Sequence, residues 1–298
     1  MFNKKWRQES ANHIMLLPGV LFLFLFCYVP MFGIIISFQK YYPTKGFFKS
    51  EWVGLENFRY IFELPDFNRV LWNTVFIASA KIILLLIVPI ITALLLNEVR
   101  NVLFKRSVQT LIYLPYFLSW VILAGILMDV LSLKGIVNQM IEGLGMQSIF
   151  FLGNNNWFPW TLIVSDTWKQ FGFDTIIYLA ALTGINPTLY EAAVIDGASR
   201  WKQTLHITLP GMAPIIVLML TLSLGNVLNA GFDQVFNLYS PPVFESGDII
   251  DTMIYRIGLQ DYQFSVSAAL GLFKSIISFV LVSVSYAMAY RFANYRIF

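Results

Sequence analysis

Six stretches of the chain are apolar over the length a helix needs to cross a hydrocarbon core, about 20 residues. They run approximately 14–38, 70–97, 107–131, 157–182, 211–229 and 266–290. The segments between them hold no Gly/Ser-rich linker, low-complexity run or visible internal repeat. The pattern predicts an all-α polytopic membrane protein, a single transmembrane domain over 1–298 with six helices. The fourth segment is the most interrupted, by Asp166, Lys169 and Asp174. The first follows Lys4-Lys5-Trp6-Arg7 and shows no small-residue cleavage site, so it reads as a retained helix.

Composition sharpens this. Hydrophobic residues make up 57% of the chain and charged ones 12%, about half the charged share of a typical soluble domain. Mean hydropathy is +0.67. Such a chain cannot cover a soluble surface, so lipid is its solvent. The single cysteine, Cys27, lies in an apolar run and excludes an intramolecular disulfide. A net charge of +3 is too small to suggest nucleic acid.

Charge also orients the chain. The N-terminus, the 98–106 loop, the 183–210 segment and the C-terminal tail together hold ten Lys/Arg and four Asp/Glu. The segments 39–69, 132–156 and 230–265 hold seven and ten. Arg100, Lys105, Arg106, Arg200, Lys202, Arg291 and Arg296 place the first side in the cytoplasm. Both termini are then cytoplasmic, and an even number of spans is consistent with that. Tyr41, Tyr42, Phe47, Phe48, Trp52, Phe58, Tyr60 and Phe62 crowd the first outer segment. They form an interfacial aromatic belt, a docking surface for an external partner, or both.

The cytoplasmic connection 186–210 is the most informative stretch. Asn186 is a good N-cap, Pro187 suits a first helical position, and Gly197 supplies the left-handed turn that ends a short helix. A second short helix is expected from about Ser199, broken by Pro210 where the fifth span begins. Small Ala192 and Ala193 beside Val194 and Ile195 let another surface approach, and Glu191 and Asp196 offer anchors for a partner's cations. On the residues alone, this is either a knob made for a socket on another protein or an interfacial amphipathic helix pair.

Glu191-Ala192-Ala193, then three residues and Gly197, then nine residues and Ile207-Thr208-Leu209-Pro210, resembles the coupling-loop signature of binding-protein-dependent ABC importer permeases, at every signature position. Val53-Gly54-Leu55-Glu56-Asn57-Phe58 resembles the outer-loop motif of the carbohydrate-uptake permeases, and Phe232-Asp233 sits where those carry a Phe-Asp pair. Ser240-Pro241-Pro242 replaces their usual Gly-Gly-Pro. With Asp248-Ile249-Ile250-Asp251-Thr252 and Tyr255-Arg256-Ile257-Gly258-Leu259, that departure resembles the branch importing oligosaccharides from complex polysaccharides.

The resemblance implies a multi-pass permease of a prokaryotic plasma membrane, non-catalytic itself. It implies a second, often non-identical permease, a cytoplasmic ABC ATPase dimer that uses ATP-Mg, and an extracellular solute-binding lipoprotein that delivers an oligosaccharide. It assigns ATPase coupling to Glu191, Ala192, Ala193, Asp196, Gly197, Ile207, Leu209 and Pro210. The chain has no G-x-x-x-x-G-K-[ST], so nucleotide chemistry falls to a partner. His13 and His206 stand far apart with no Cys/His cluster, and no metal or other cofactor is expected on this chain.

Ser223, Asn226, Asn229 and Asp233 recur at steps of three or four, so they share one face if the fifth helix continues. Such a stripe forms a hydrophilic sugar route or bonds helix to helix. Lys169 is costly to insert, and Asp166, one turn away, is expected to neutralise it or to share a substrate contact with it. Trp168 and Trp120 either stack on a sugar ring or pack at an interface, and Lys81 and Lys274 snorkel or pair with the partner subunit. The alternatives are the same importer carrying a non-sugar solute such as a peptide, or an ion-driven secondary transporter. The latter calls for paired repeats and midplane carboxylates, of which only Asp166 and Asp174 come near.

Overall fold

The structure is a computed structural model that describes residues 2–293. Arg296, part of the expected basic tail, lies outside the described residues. The chain is overwhelmingly helical. Its principal helices are α1 (Phe2–Leu23), α2 (Phe67–Glu98), α3 (Val102–Tyr113), α4 (Trp120–Val130), α5 (Phe158–Thr183), α6 (Pro187–Ile195), α7 (Leu209–Leu224), α8 (Phe232–Leu238) and α9 (Phe264–Ala293).

Among the described residues, four helical stretches are long and apolar enough to cross a membrane: Asn12–Phe38, Phe67–Glu98, Arg200–Leu224 and Phe264–Ala287. The pair Val102–Phe117 and Trp120–Val130 makes a fifth if taken as one span, bent by 107°. The expected third segment is therefore not straight. Pro115 sits in a 3-10 turn, Leu118 is extended, and the Ser119 hydroxyl accepts from the Ile122 N–H to start a new helix. α5 has 26 residues, about 39 Å at the helical rise, but its charges keep it below the apolarity of the other spans.

The fifth segment differs from expectation at both ends. Pro210 does not break the helix. Arg200–Leu224 runs through it, and the residues before the proline, Thr204–Thr208, take a wide π turn. A wider turn relieves the clash between the proline ring and the preceding carbonyl, so the helix absorbs the proline. At the other end the helix stops at Leu224 rather than near 229.

Packing divides the chain into two compact units. One holds the chain up to Phe67 with Ile254–Phe273, the other Asn68–Met253 with the chain from Lys274. In the first, strands β1 (Gln39–Lys40) and β2 (Glu51–Trp52) pair antiparallel, Gln39 opposite Trp52. The Asn57 amide donates to the carbonyls of Ser37, at 2.9 Å, and Gln39, at 3.0 Å, and closes the hairpin. Phe38 stacks on Trp52 at 5.7 Å, and Phe62, Phe67 and Phe273 meet edge to face. Several outer rings thus pack on one another, while Phe48 and Trp52 remain exposed.

The second unit is built around Ile77, Phe158, Leu162, Ile163, Val235 and Ile249, all fully buried. The Asp248–Thr252 segment is fixed inside it. The Asn73 amide donates to the Glu245 and Asp248 carbonyls, the Ile250 N–H donates to the Thr74 hydroxyl, and Thr252 donates to the Asp248 carboxylate. Lys274 pairs with Asp251 of the same chain at 2.5 Å, so it neither snorkels nor waits for a partner subunit.

Candidate functional site

Two features concentrate the residues singled out by sequence. The first is the 186–210 connection. The Asn186 side chain accepts from the Thr188 N–H at 3.0 Å, and Pro187 opens α6. At the other end the chain turns on Gly197, at φ +72°. The Ala198 N–H donates to the Ala193 carbonyl at 2.8 Å and the Gly197 N–H to the Val194 carbonyl at 3.1 Å. This double closure consumes carbonyls that the helix end would leave orphaned. The Ser199 hydroxyl then caps the next turn through the Lys202 N–H.

The tightly capped helix presents apolar surface outward. Leu189 and Val194 are exposed, and Ile195 is 85% exposed. Glu191, Ala192, Asp196 and Gly197 are exposed beside them, and Ala193 is partly covered. A contact between the Tyr190 hydroxyl and Thr208 Oγ1 at 3.0 Å ties this helix to the 200–224 helix. Ile207, Leu209 and Pro210 lie in that second helix rather than on the knob. α6 is thus joined to the 200–224 helix by a capped turn and by the Tyr190–Thr208 contact.

The second feature is a cavity of about 370 Å³ within the second unit. Ser223, Asn226 and Asn229 line it, facing Lys81, Asp166, Gln170 and Asp174, with Trp120 and Tyr178 among the rings. Ser223, Asn226 and Asn229 come together although the helix does not continue. Past Leu224 the chain turns through Gly225, and the Asn226 and Asn229 N–H groups bond back to Ser223 and Asn226. The cluster Gly225, Asn226, Asn229 and Gly231 was the legible sign of a break. Asp233 starts α8 on the other side of that break, is exposed, and does not line the cavity.

Lys81 organises this break. It is 4% exposed, and its ammonium donates to the Ala230 carbonyl at 2.7 Å and to Gln234 Oε1 at 2.5 Å, with Asp166 Oδ2 at 3.6 Å. The Gln234 amide continues to the Leu162 carbonyl and the Ser165 hydroxyl, both at 2.8 Å. Gln170 donates to Asp166 at 2.9 Å. A buried charge persists only when paired and hydrogen-bonded, and here both conditions hold. Asp166 thus neutralises Lys81, not Lys169.

Lys169 has a different task. Its ammonium donates to the Tyr116 carbonyl at 3.0 Å and lies over the Tyr116 and Trp120 rings at 5.4 and 5.6 Å. Tyr116 sits at the bend between α3 and α4, where carbonyls lose their helical partners. Lys169 braces that bend and does not line the cavity. Trp168 also lies elsewhere, in an apolar groove with Leu127, Trp157, Trp160 and Val164. Asp174 and Gln170 were not singled out as lining residues by sequence reasoning, although Asp166, Gln170, Asp174 and Tyr178 recur at steps of four along α5 and share the face that lines the cavity.

The description binding-protein-dependent transport system inner membrane component matches residues 85–294. The chain is 43% identical to the polygalacturonan/rhamnogalacturonan transport system permease protein YteP of Bacillus subtilis, over 98% of this chain and 91% of that one. It is 28% identical to the arabinooligosaccharides transport system permease protein AraP of the same organism, over 96% and 91%. A crystal structure of a bacterial ABC transporter involved in the import of the acidic polysaccharide alginate contains a chain superposing with TM-score 0.90 at 36% identity, covering 98% of this chain and 99% of that one. With its apolar helices, its polar cavity and matches of this extent, the chain belongs to the family of binding-protein-dependent transport system inner membrane components and is a multi-pass membrane permease.

Proposed function

We propose that this chain is one of two permease subunits of an ATP-driven oligosaccharide importer in a prokaryotic plasma membrane. It forms one permease domain of six spans, counting the bent α3–α4 pair and the charged α5 among them, with both termini in the cytoplasm. The charge asymmetry of its loops supports that orientation. Nucleotide hydrolysis with Mg belongs to a separate ATPase pair beneath α6, and an extracellular binding protein delivers the cargo. No cofactor belongs to this chain.

The observation that carries the reading is the capped, outward-facing α6 with its signature Glu191, Ala192, Ala193 and Gly197. A partner that seats on it moves the 200–224 helix, and with it the residues that line the cavity. This is a two-state element biased by nucleotide. Glu191 and Asp196 are the anionic anchors for the ATPase, and Ile207, Leu209 and Pro210 carry the motion into the membrane. Ser223, Asn226 and Asn229 line the sugar route, with Trp120 as a ring-stacking surface. Relatives named for oligosaccharide and polysaccharide transport support a sugar cargo.

The test is co-purification with candidate ATPase, sister permease and binding protein, then sugar-stimulated ATPase activity and uptake in liposomes. Changing Asn226 and Asn229 together to Ala is expected to lower uptake while leaving assembly intact. Normal uptake by that double variant removes both from the route.

A further inference from the structure

A separate groove of about 520 Å³ lies in the second unit, between the end of α2 and the start of the Arg200–Leu224 helix. Its two ends differ in chemistry. Ile90, Leu94, Leu95, Leu205 and Leu209 line one stretch, and Asn97, Glu98, Arg200 and Trp201 line the other. Ile90, Leu94 and Glu98 stand at steps of four on one helix face, which passes from aliphatic to charged over about 12 Å. Glu98 is the single carboxylate among the described lining residues. Arg200 and Lys202 are exposed, and among the described residues no side-chain hydrogen bond or ion pair engages either cation. Tyr190 and Thr208, whose contact joins α6 to the fifth span, also line the groove.

We propose that this groove binds an anionic phospholipid of the cytoplasmic leaflet, its phosphate on Arg200 and Lys202 and the upper part of an acyl chain along Leu94, Leu95 and Leu205. The site rests on the orientation proposed above, which sets the Glu98–Arg200 end at headgroup level. A bilayer supplies both chemistries in this order. A guanidinium holds phosphate oxygens in pairs, and an exposed tryptophan at the lip suits the membrane–water interface. A water-borne protein segment can meet the polar end, but the aliphatic end runs into hydrocarbon, where a lipid chain already lies. Charge then selects the headgroup. Basic pockets between spans on the cytoplasmic side attract anionic lipids, whereas a zwitterionic headgroup would set its own cation against Arg200 and Lys202. The bound lipid packs beside the Tyr190–Thr208 contact, where α6 meets the span.

The assembled importer in nanodiscs is photolysed with phosphatidylglycerol or phosphatidylcholine carrying a diazirine on the same acyl chain, and labelled peptides are quantified by mass spectrometry. Phosphatidylglycerol should label the segments 90–98 and 200–209 roughly 25-fold more strongly, about fivefold for each of the two cations. Arg200→Gln should cut that preference about fivefold, and adding Lys202→Gln should remove it. Arg106→Gln, exposed but outside the groove, should leave it alone. Leu94→Trp, checked for the same assembly, fills the apolar stretch and should suppress labelling by both lipids. Equal labelling by the two lipids, an undiminished preference in the double variant, or a groove that neither lipid labels overturns the site. Thiol accessibility of an Ile195→Cys variant reports the orientation separately. An unlabelled groove with α6 in the cytoplasm removes the lipid site and leaves the importer reading standing, whereas α6 facing outside removes the orientation and the site with it.

Discussion

Gly197 shows what a single residue contributes. Its φ of +72° is closed to most side chains, yet an added Cβ would meet no atom within 4 Å. The cost of substitution is therefore conformational and local. Gly197→Ala should destabilise the turn by about 1–2 kcal/mol, Gly197→Val by more, and Gly197→Asn by less, because Asn tolerates the left-handed region. Uptake and ATPase co-purification should fall in the order Asn, Ala, Val. Equal behaviour of all three would mean that the turn is not held in this form. Removing the charge of Lys169 tests something different. Lys169→Met strands the Tyr116 carbonyl and should cost about 1–3 kcal/mol in the thermal stability of the solubilised subunit, without altering cargo preference. Sequence alone paired Lys169 with Asp166 because helical spacing reveals only neighbours on the same helix. The true partner of Asp166, Lys81, comes from a different helix, which no spacing rule could show.

Between elements, the decisive contacts are backbone approaches and buried polar ties. Gly172 on α5 lies against α3 so closely that an added Cβ would overlap the Ile112 carbonyl. Gly172→Leu should force the two helices apart and sharply lower the yield of folded protein, read as monodisperse material after size-exclusion chromatography; normal yield would show that this packing yields easily. Lys81→Met leaves Asp166 buried without its cation and should cost about 3–5 kcal/mol, whereas adding Asp166→Leu should recover most of the loss. A melting comparison of the single and double variants decides between a structural tie and a dispensable one. The helices themselves were largely legible, since apolar runs of spanning length announce themselves. The bend after α3, the passage through Pro210 and the stop at Leu224 were not, because hydropathy is averaged over a window and carries no direction. Pro115, Ser119 and the Gly/Asn cluster at 225–231 held that information in residue chemistry instead.

For the molecule as a whole, the distribution of apolar surface says what must surround it. None of the most apolar window of Asn12–Phe38 is buried within the chain, so lipid or a partner subunit must cover it. In the proposed orientation α6 lies in water, and there the exposed Leu189, Val194 and Ile195 pose the same demand, because an uncovered apolar knob is costly. The proposed answer is an ATPase cleft, reached from the cytoplasm. A cysteine at the tip of α6 tests this directly. In a Cys27→Ser background, Ile195→Cys is treated with a membrane-impermeant maleimide in oriented vesicles, with and without the ATPase bound. The account predicts labelling from the cytoplasmic face only, and strong protection once the ATPase is seated. Labelling from the outside, or a thiol equally reactive with the ATPase in place, would contradict it.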